Sequence, residues 1–387
     1  MVVVGAGSTG SSTAYHLAKL GRSVILLDRG QVGSGMTSRS TALVRTHYSN
    51  EIVARMALYS LNFFKENKEC GFVNSGILII GPDSARGAIE SNVTMLDSIG
   101  VRNERLTPSM AREEYPELEL TDTDFVVSEP ESGYADPVST ANYYAARAAE
   151  LGAKLVLGDQ VATLKRRDRK LVGLELASGK VIDCEEAILC TNAWTNAILS
   201  ASGVDAGQLL PLWAAAHPVL ILRRPNSYLG IRPAILDVSS KAYYKPEGRS
   251  LFFAGSLDPE LDRQSTNPES PPTDVPFELI SNLSESVAKR IPTMKEASFH
   301  SSYIGIYDMT SDQHPIIDSL SHLGFEGLYC CVGLSGHGFK LCPALGLMNA
   351  EMISGRRGQF DWTRFKLERF RLGEELKSKY TELGTVA

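Results

Sequence analysis

The chain opens on an unbroken apolar run, Val2-Val3-Val4, followed by a glycine-rich stretch and then by Ser11 to Leu20, where apolar residues recur at helical spacing. The pattern predicts strand, turn and helix in that order. Gly21 ends the helix, and Ser23-Val24-Ile25-Leu26-Leu27 reads as a second buried strand finishing in Asp28. Asn50 can cap a helix that keeps Ile52, Val53, Met56, Ala57, Leu61 and Phe64 on one face, and Gly76 to Ile80 reads as a strand. Asp136-Pro137 is a helix start, a capping carboxylate ahead of proline at the first helical position, and Gly152 stops that helix after Leu151. Strands follow near Lys154 to Leu157, Val161 to Lys165, Leu171 to Leu176 and Ala187 to Cys190. From about Pro211 to Ile306 the texture turns strand-rich: His217 to Leu222, Ala242 to Lys245, Leu251 to Gly255 and Ser298 to Tyr307, with Pro246-Glu247-Gly248-Arg249 as a hairpin turn. Asp258 to Thr273, rich in proline, serine and acids and without periodicity, reads as a surface loop. Leu328 to Val332 is again a strand, and Phe339 to Ser354 a helix.

The two glycine-rich turns carry the chemistry. In Gly5-Ala6-Gly7-Ser8-Thr9-Gly10, Gly5 makes the tight turn, Gly7 lets a diphosphate approach the backbone, and Gly10 lets helix and strand pack closely. The diphosphate meets the free N–H groups and the positive end of the helix dipole. Asp28, eighteen residues past Gly10, stands where a carboxylate accepts hydrogen bonds from an adenosine ribose. The block from Asp136 to Cys190 reads as the second half of this nucleotide-binding domain, with a small antiparallel meander inserted. Gly333-Leu334-Ser335-Gly336-His337-Gly338 repeats the strand, glycine turn and helix pattern. Its helix start favours the negative charge that develops on a reduced flavin. Nicotinamide alone does not explain both turns; an FAD running between them does.

Length and composition narrow the setting. The 387 residues suggest two domains, and 43% hydrophobic with 22% charged residues is the balance of a soluble globular protein. A net charge of -6 offers nothing to nucleic acid. The basic run Lys165 to Lys170 reads as a solvated hairpin tip. No stretch reaches the roughly twenty apolar residues of a membrane span and no signal peptide precedes Val2, so a cytoplasmic location is expected. Cys70, Cys184, Cys190, Cys330, Cys331 and Cys342 lack metal-site spacing and read as reduced thiols, with Cys330 and Cys331 facing opposite ways from one buried strand. No metal site is expected.

Gly5 to Asp28, Arg45-Thr46-His47-Tyr48, Thr191-Asn192-Ala193-Trp194, Tyr307-Asp308-Met309-Thr310, Pro315-Ile316-Ile317 and Gly333 to Lys340 together resemble the D-amino acid oxidase and sarcosine oxidase superfamily of FAD enzymes. The run from Gly333 to Lys340 is most similar to the sarcosine oxidase branch and to sarcosine-oxidase-β-like and proline-dehydrogenase-like subunits. The resemblance covers essentially the whole chain. It implies an α/β plus mixed β-sheet fold, a Rossmann-type FAD-binding domain (1–75, 135–208 and 310–387) with an interposed substrate domain (76–134 and 209–309). The cofactor contacts expected from the motifs and the resemblance are Gly5, Gly7, Ser8, Thr9, Gly10, Asp28, Arg29, Ser38, Arg39, Ser40, Val161, Thr191, Asn192, Trp194, Gly333, Gly336, His337, Gly338, Phe339 and Lys340.

Residue by residue, Arg45 and Lys340 match the two cations that hold a substrate carboxylate in sarcosine oxidase-like enzymes, a planar fork and a point charge. Tyr243 and Tyr307 are the expected catalytic-pocket tyrosines, with Tyr244 a further candidate. His337 reads as serving the glycine loop and His47 as a packed histidine, neither as a general base. Where monomeric sarcosine oxidases bind the flavin through a cysteine, two residues before the tyrosine, this chain has Gly305, so FAD is expected to be noncovalent. Where they present an oxygen-activating lysine, the best match is Phe253, which favours a dehydrogenase over an oxidase. The expected reaction is oxidation of the C–N bond of a small amino acid (sarcosine-like, N-alkyl, cyclic or primary) that carries a carboxylate. Hydride passes to flavin N5 and the imine is then hydrolysed. The alternatives are hydroxy-acid or glycerol-3-phosphate oxidation, or a flavin-carrying electron-transfer subunit of a larger complex. An electron acceptor or partner subunit belongs to this reading; a folate domain, and so folate coupling, does not.

Overall fold

Val2–Val4, fully buried, is an inner strand of a six-stranded sheet in a computed structural model that describes residues 1–356, 358–376 and 378. The rest of the 310–387 segment lies outside the described residues. The strand order is Ile316–Ser319, Leu328–Val332, Ala187–Leu189, Val2–Val4, Ile25–Asp28 and Lys154–Leu157, parallel throughout except at the Ile316–Ser319 edge. Alternation along these strands feeds two cores. Val3, Leu26, Ile188 and Cys331 face the helices Ser8–Lys19, Pro137–Glu150 and Gly338–Ile353, whereas Val2, Val4, Leu27 and Cys330 pack on the opposite side. Cys330 and Cys331 thus do point apart, and all six cysteines are free. Asp136 caps the Pro137–Glu150 helix, accepting the Ser139 N–H at 2.6 Å. The antiparallel meander is present as Val161–Arg167, Lys170–Leu176 and Val181–Asp183.

The second sheet has eight strands, in the order Ser298–Met309, Trp213–Arg223, Leu251–Ser256, Ala242–Glu247, Ala234–Asp237, Ile77–Gly81, Phe125–Glu129 and Glu104–Leu106. One face packs on the helix Phe277–Arg290 through residues such as Leu220, Tyr244 and Phe252. Part of the other face, including Val219, Leu236 and Tyr243, looks toward the site described below. Among the described residues no helix is long and apolar enough to cross a membrane.

Two expectations need correction. Asn50 occupies the N-cap position of the Glu51–Glu66 helix, but its side chain makes no capping bond and lies 3.0 Å from His314 Nε2 instead. Asp258 to Thr273 is not simply a surface loop. Pro259–Arg263 is a short helix capped by Asp258, Asp262 is buried, Ser265 bridges to Ala215, and Thr266 donates to the Ala214 carbonyl at 2.8 Å. The segment then reaches the nucleotide-binding side, where Glu269 pairs with Arg29 at 3.6 Å. Five residues of helix are too few for periodicity to show, and the anchors are all long-range.

Candidate active site

The first glycine turn is forced by its surroundings. Gly5 has φ +104° and a Cβ there would overlap the Cys190 carbonyl, while a Cβ on Gly10 would overlap the Gly5 carbonyl. Strand, turn and the first turn of the helix therefore lie closer than any side chain allows. Asp28 fastens this turn: its Oδ2 accepts the Ala6 N–H at 2.6 Å and its Oδ1 the Gly30 N–H at 2.7 Å. From here a cavity of about 500 Å³ runs between the two sheets to Lys340. Near its Asp28 end the Arg29 guanidinium lies 4.3 Å over the Trp194 ring, and the buried Trp194 indole N–H has no partner among the described residues.

The second turn is organised by Asp308, at the end of the Ser298–Met309 strand. Its carboxylate accepts the Gly333 N–H at 2.6 Å and the Asn192 amide at 2.9 Å, and its carbonyl accepts the Ser335 N–H at 3.0 Å. Burial pushes this carboxyl up to about 7 against the pull of its backbone donors. Gly336, with φ +77°, lies against the Tyr307 ring, which a Cβ would approach to 2.8 Å. One helical turn on, Lys340 donates from Nζ to the Gly336 carbonyl at 3.1 Å.

Arg45 is 5% exposed, lies 4.2 Å over the Tyr48 ring and donates to the His47 carbonyl. The segment carrying it is pinned by buried Glu129, which accepts the Thr46 N–H at 3.0 Å and the Ser132 hydroxyl at 2.7 Å. Burial raises the Glu129 carboxyl above the usual range. Arg45 and Lys340 line the same cavity, and among the described residues neither forms an ion pair with an acid. Desolvation, and then the nearby guanidinium, hold the Lys340 ammonium well below the ordinary lysine range.

Tyr243 and Tyr307 also line this cavity, as do the cofactor residues expected from sequence with two exceptions. Ser38 turns its hydroxyl to the Gly35 and Ser34 carbonyls, and Gly333 lies behind the second turn, with its N–H on Asp308. Both shape backbone rather than wall. Tyr244 faces the other side of the sheet, bonding Ser240 at 2.6 Å. His47 is fully buried, with Nδ1 4.0 Å from Glu129. His337 packs its ring on Tyr48 at 5.3 Å, and its Nδ1 has no partner among the described residues. Phe253 lies off the cavity, but a lysine does stand beside it: buried Lys245 holds its ammonium 5.1 Å from the Phe253 ring and 2.6 Å from Glu247.

Sequence reasoning missed His217 and Asp262. His217 Nδ1 is 3.3 Å from Asp262 Oδ1, its Nε2 is 3.4 Å from the Tyr243 hydroxyl, and its ring stacks on Tyr307 at 4.3 Å. A lone histidine inside the otherwise apolar strand Trp213 to Leu222 is the one signal that marked it.

Residues 1–352 match the DAO family, FAD dependent oxidoreductase. The chain belongs to this family. It is 24% identical over 385 residues to the mitochondrial sarcosine dehydrogenase of Homo sapiens, covering 96% of this chain but 41% of that protein. It thus spans well under half the length of that relative. It is 25% identical over 396 residues to N-methyl-L-tryptophan oxidase of Salmonella enteritidis, covering 96% of this chain and 98% of the relative. The crystal structure of L-proline dehydrogenase from P. horikoshii superposes with a TM-score of 0.87 at 26% identity, covering 96% of this chain and 97% of the other. FAD is the family's cofactor, and the residues present suit it. The first turn has no room for side chains where a diphosphate must approach, and the unpartnered Trp194 N–H and the N–H groups of two helix starts give the cavity donors for an anionic ligand. Among the described residues no cluster of three or more His, Cys, Asp or Glu is placed to hold a metal ion.

Proposed function

We propose that this protein oxidises the C–N bond of a small amino acid whose carboxylate is held between Arg45 and Lys340, and that it passes the electrons to an acceptor other than oxygen. The observation that carries the reading is the pair of basic groups in one cavity, neither in an ion pair with an acid among the described residues. Two like charges gathered away from bulk water are costly unless an anion joins them. A substrate carboxylate supplies that anion, bidentate on the guanidinium and point-bound on the ammonium. FAD, when bound, supplies the two-electron hydride acceptor.

The chain's own contribution is placement. Glu129 holds the Arg45 segment, Asp308 and Gly336 hold the turn that aims Lys340, and the rings of Tyr307, Tyr243 and His217 wall the space beside them. Fixing the carboxylate at one end limits the orientations open to the carbon beside nitrogen, the kind of positioning that lowers a barrier by restricting motion beforehand. The acceptor preference is supported by Phe253 and by Lys245, whose ammonium is engaged by Glu247 off the cavity. The relatives named for sarcosine, N-methyl-L-tryptophan and L-proline put secondary amines first in the test. Flavin-loaded protein is mixed anaerobically with N-methyl, cyclic and primary amino acids and with hydroxy acids. Bleaching by an amino acid, and not by its amine without the carboxylate, is the expected result; bleaching by hydroxy acids alone overturns the reading.

A further inference from the structure

We infer that His217 takes the proton from the substrate's nitrogen, with Asp262 fixing the imidazole and Tyr243 steadying its far side. The inference rests on the amino-acid reading above. A C–N bond loses hydride from carbon only when nitrogen has a free lone pair to stabilise the cation that forms. An amino acid arrives at neutral pH as an ammonium, so a cavity that grips the carboxylate must also receive a proton.

Six other titratable groups on the cavity wall, Asp28, Glu269, Asp308, His337, Tyr243 and Tyr307, are occupied or misplaced for this. Asp28 and Glu269 belong to the far end, one bonded to the first glycine turn and the other paired with Arg29. Asp308 uses its oxygens on Gly333 and Asn192. Burial, and then the nearby Lys340 and Arg45, suppress the proton affinity of His337. Burial also raises the phenols of Tyr243 and Tyr307, so both stay protonated.

His217 differs in having a carboxylate behind one ring nitrogen and a long contact at the other. Its Nδ1 faces the Asp262 carboxylate at 3.3 Å, a partner that fixes the tautomer with the lone pair on Nε2 and stabilises the imidazolium once formed. Asp262 is itself anchored, because the Trp213 indole donates to its carbonyl at 2.7 Å. Nε2 lies 3.4 Å from the Tyr243 hydroxyl, at the distance expected of a catalytic contact before substrate tightens it. The ring stacks on Tyr307, Tyr307 abuts Gly336, and the Gly336 carbonyl holds the Lys340 ammonium, so one ring separates the imidazole from the carboxylate clamp.

The groups facing His217 are therefore Asp262 from the Pro259–Arg263 helix, Tyr243 from the Ala242–Glu247 strand and Tyr307 from the Ser298–Met309 strand. On the neighbouring Leu251–Ser256 strand, the missing side chain of Gly255 makes room for the Tyr243 ring. In the step, one substrate N–H bond breaks and one Nε2–H bond forms. The electron pair stays on nitrogen, and the positive charge moves from substrate to imidazole beside Asp262.

The test uses flavin-loaded wild type, His217→Gln and Asp262→Asn, with two readouts. The first is kcat/KM against pH for the best amino acid of the bleaching panel. The second is the affinity for propionate, a carboxylate without nitrogen, read from the flavin spectrum. In wild type kcat/KM rises with pH until the imidazole is free. His217→Gln should lose about 100-fold or more at pH 7, within the usual range for general-base catalysis. Its rise should follow the substrate ammonium's own titration, so that the gap narrows in alkali while propionate binds as before. Asp262→Asn should move the acid limb to lower pH, since the carboxylate that favours imidazolium is gone. A His217→Gln profile that superimposes on wild type, or falls equally at every pH, overturns the inference. If His217→Gln does not load flavin, the direction of the Asp262→Asn limb decides. If no amino acid bleaches the wild type, the functional reading falls and takes this inference with it; if bleaching occurs and the limbs do not move, only the inference falls.

Discussion

Asp308 accepts the Gly333 N–H at 2.6 Å, so one buried carboxylate joins the longest strand of the eight-stranded sheet to the second glycine turn. Its pKa is raised to about 7, which means the folded state holds this proton more tightly than the unfolded chain. Between the ordinary carboxyl range and about pH 7 the native state therefore binds more protons, and stability falls as pH rises through that window. Asp308→Asn keeps an acceptor without the charge. Denaturant unfolding at pH 5 and pH 8 should show a smaller loss of stability in the variant than in wild type; an equal loss refutes the assignment to this group.

The carboxylate clamp predicts the behaviour of two variants. Arg45→Met leaves the substrate anion one partner, and loss of one member of a buried charge pair costs about 2–5 kcal/mol. Steady-state kinetics should show a matching fall in kcat/KM for Arg45→Met and for Lys340→Met, with flavin retained in both. The double variant should lose less than the sum, because both cations act on one group. An Arg45→Met enzyme with unchanged kcat/KM contradicts the clamp.

The proposed clamp makes Lys340 the group that sets the pH dependence of anion binding. Its proton affinity is depressed by burial and by Arg45, and a bound carboxylate favours the protonated form. Propionate should therefore bind more weakly as pH rises through the Lys340 titration, with proton uptake on binding. Titration of the flavin spectrum at several pH values checks this, and Lys340→Met should remove the slope.

Gly305 faces the His217 carbonyl and Arg39 and carries no side chain that could bond a flavin. Acid or heat precipitation should release intact FAD into the supernatant. Colour that stays with the precipitated chain would place a covalent link elsewhere in the cavity.

Reaction with oxygen tests the role of Lys245. With its ammonium held by Glu247 beside Phe253, charge developing on oxygen at the flavin lacks that cation, and each tenfold loss in rate is about 1.4 kcal/mol of barrier. Stopped-flow mixing of the reduced protein with aerated buffer should give reoxidation slower than turnover with an artificial acceptor. Equal rates would make it an oxidase.

What sequence shows here is whatever local sterics decide. Gly5, Gly10, Gly336 and Asp136-Pro137 announce themselves because a turn without Cβ or a capped helix start leaves few choices of residue. The Leu328 to Val332 strand was readable from its apolar run, down to the opposed faces of Cys330 and Cys331. The helices Arg86–Ser98 and Phe277–Arg290 and the short strand Ala234–Asp237 carry no such local mark. The strand is four residues long and takes its place from partners distant in sequence. His217 and Asp262 failed for a sharper reason. They stand 45 residues apart, and their meeting depends on a five-residue helix inside a stretch whose composition is that of a loop. No period in the chain encodes that contact; packing against Trp213 and Ala214 creates it.

The stretch from Asp258 to Glu269 also ties the two ends of the cavity to each other. One covalent thread is tied at the substrate end by Asp262 and at the opposite end by Glu269 on Arg29, so it crosses the cavity like a latch with two fastenings of unequal strength. The inner fastening is buried, and the outer is an exposed pair at 3.6 Å that salt readily screens. Rising ionic strength therefore loosens the Arg29 end first and leaves the Asp262 end in place.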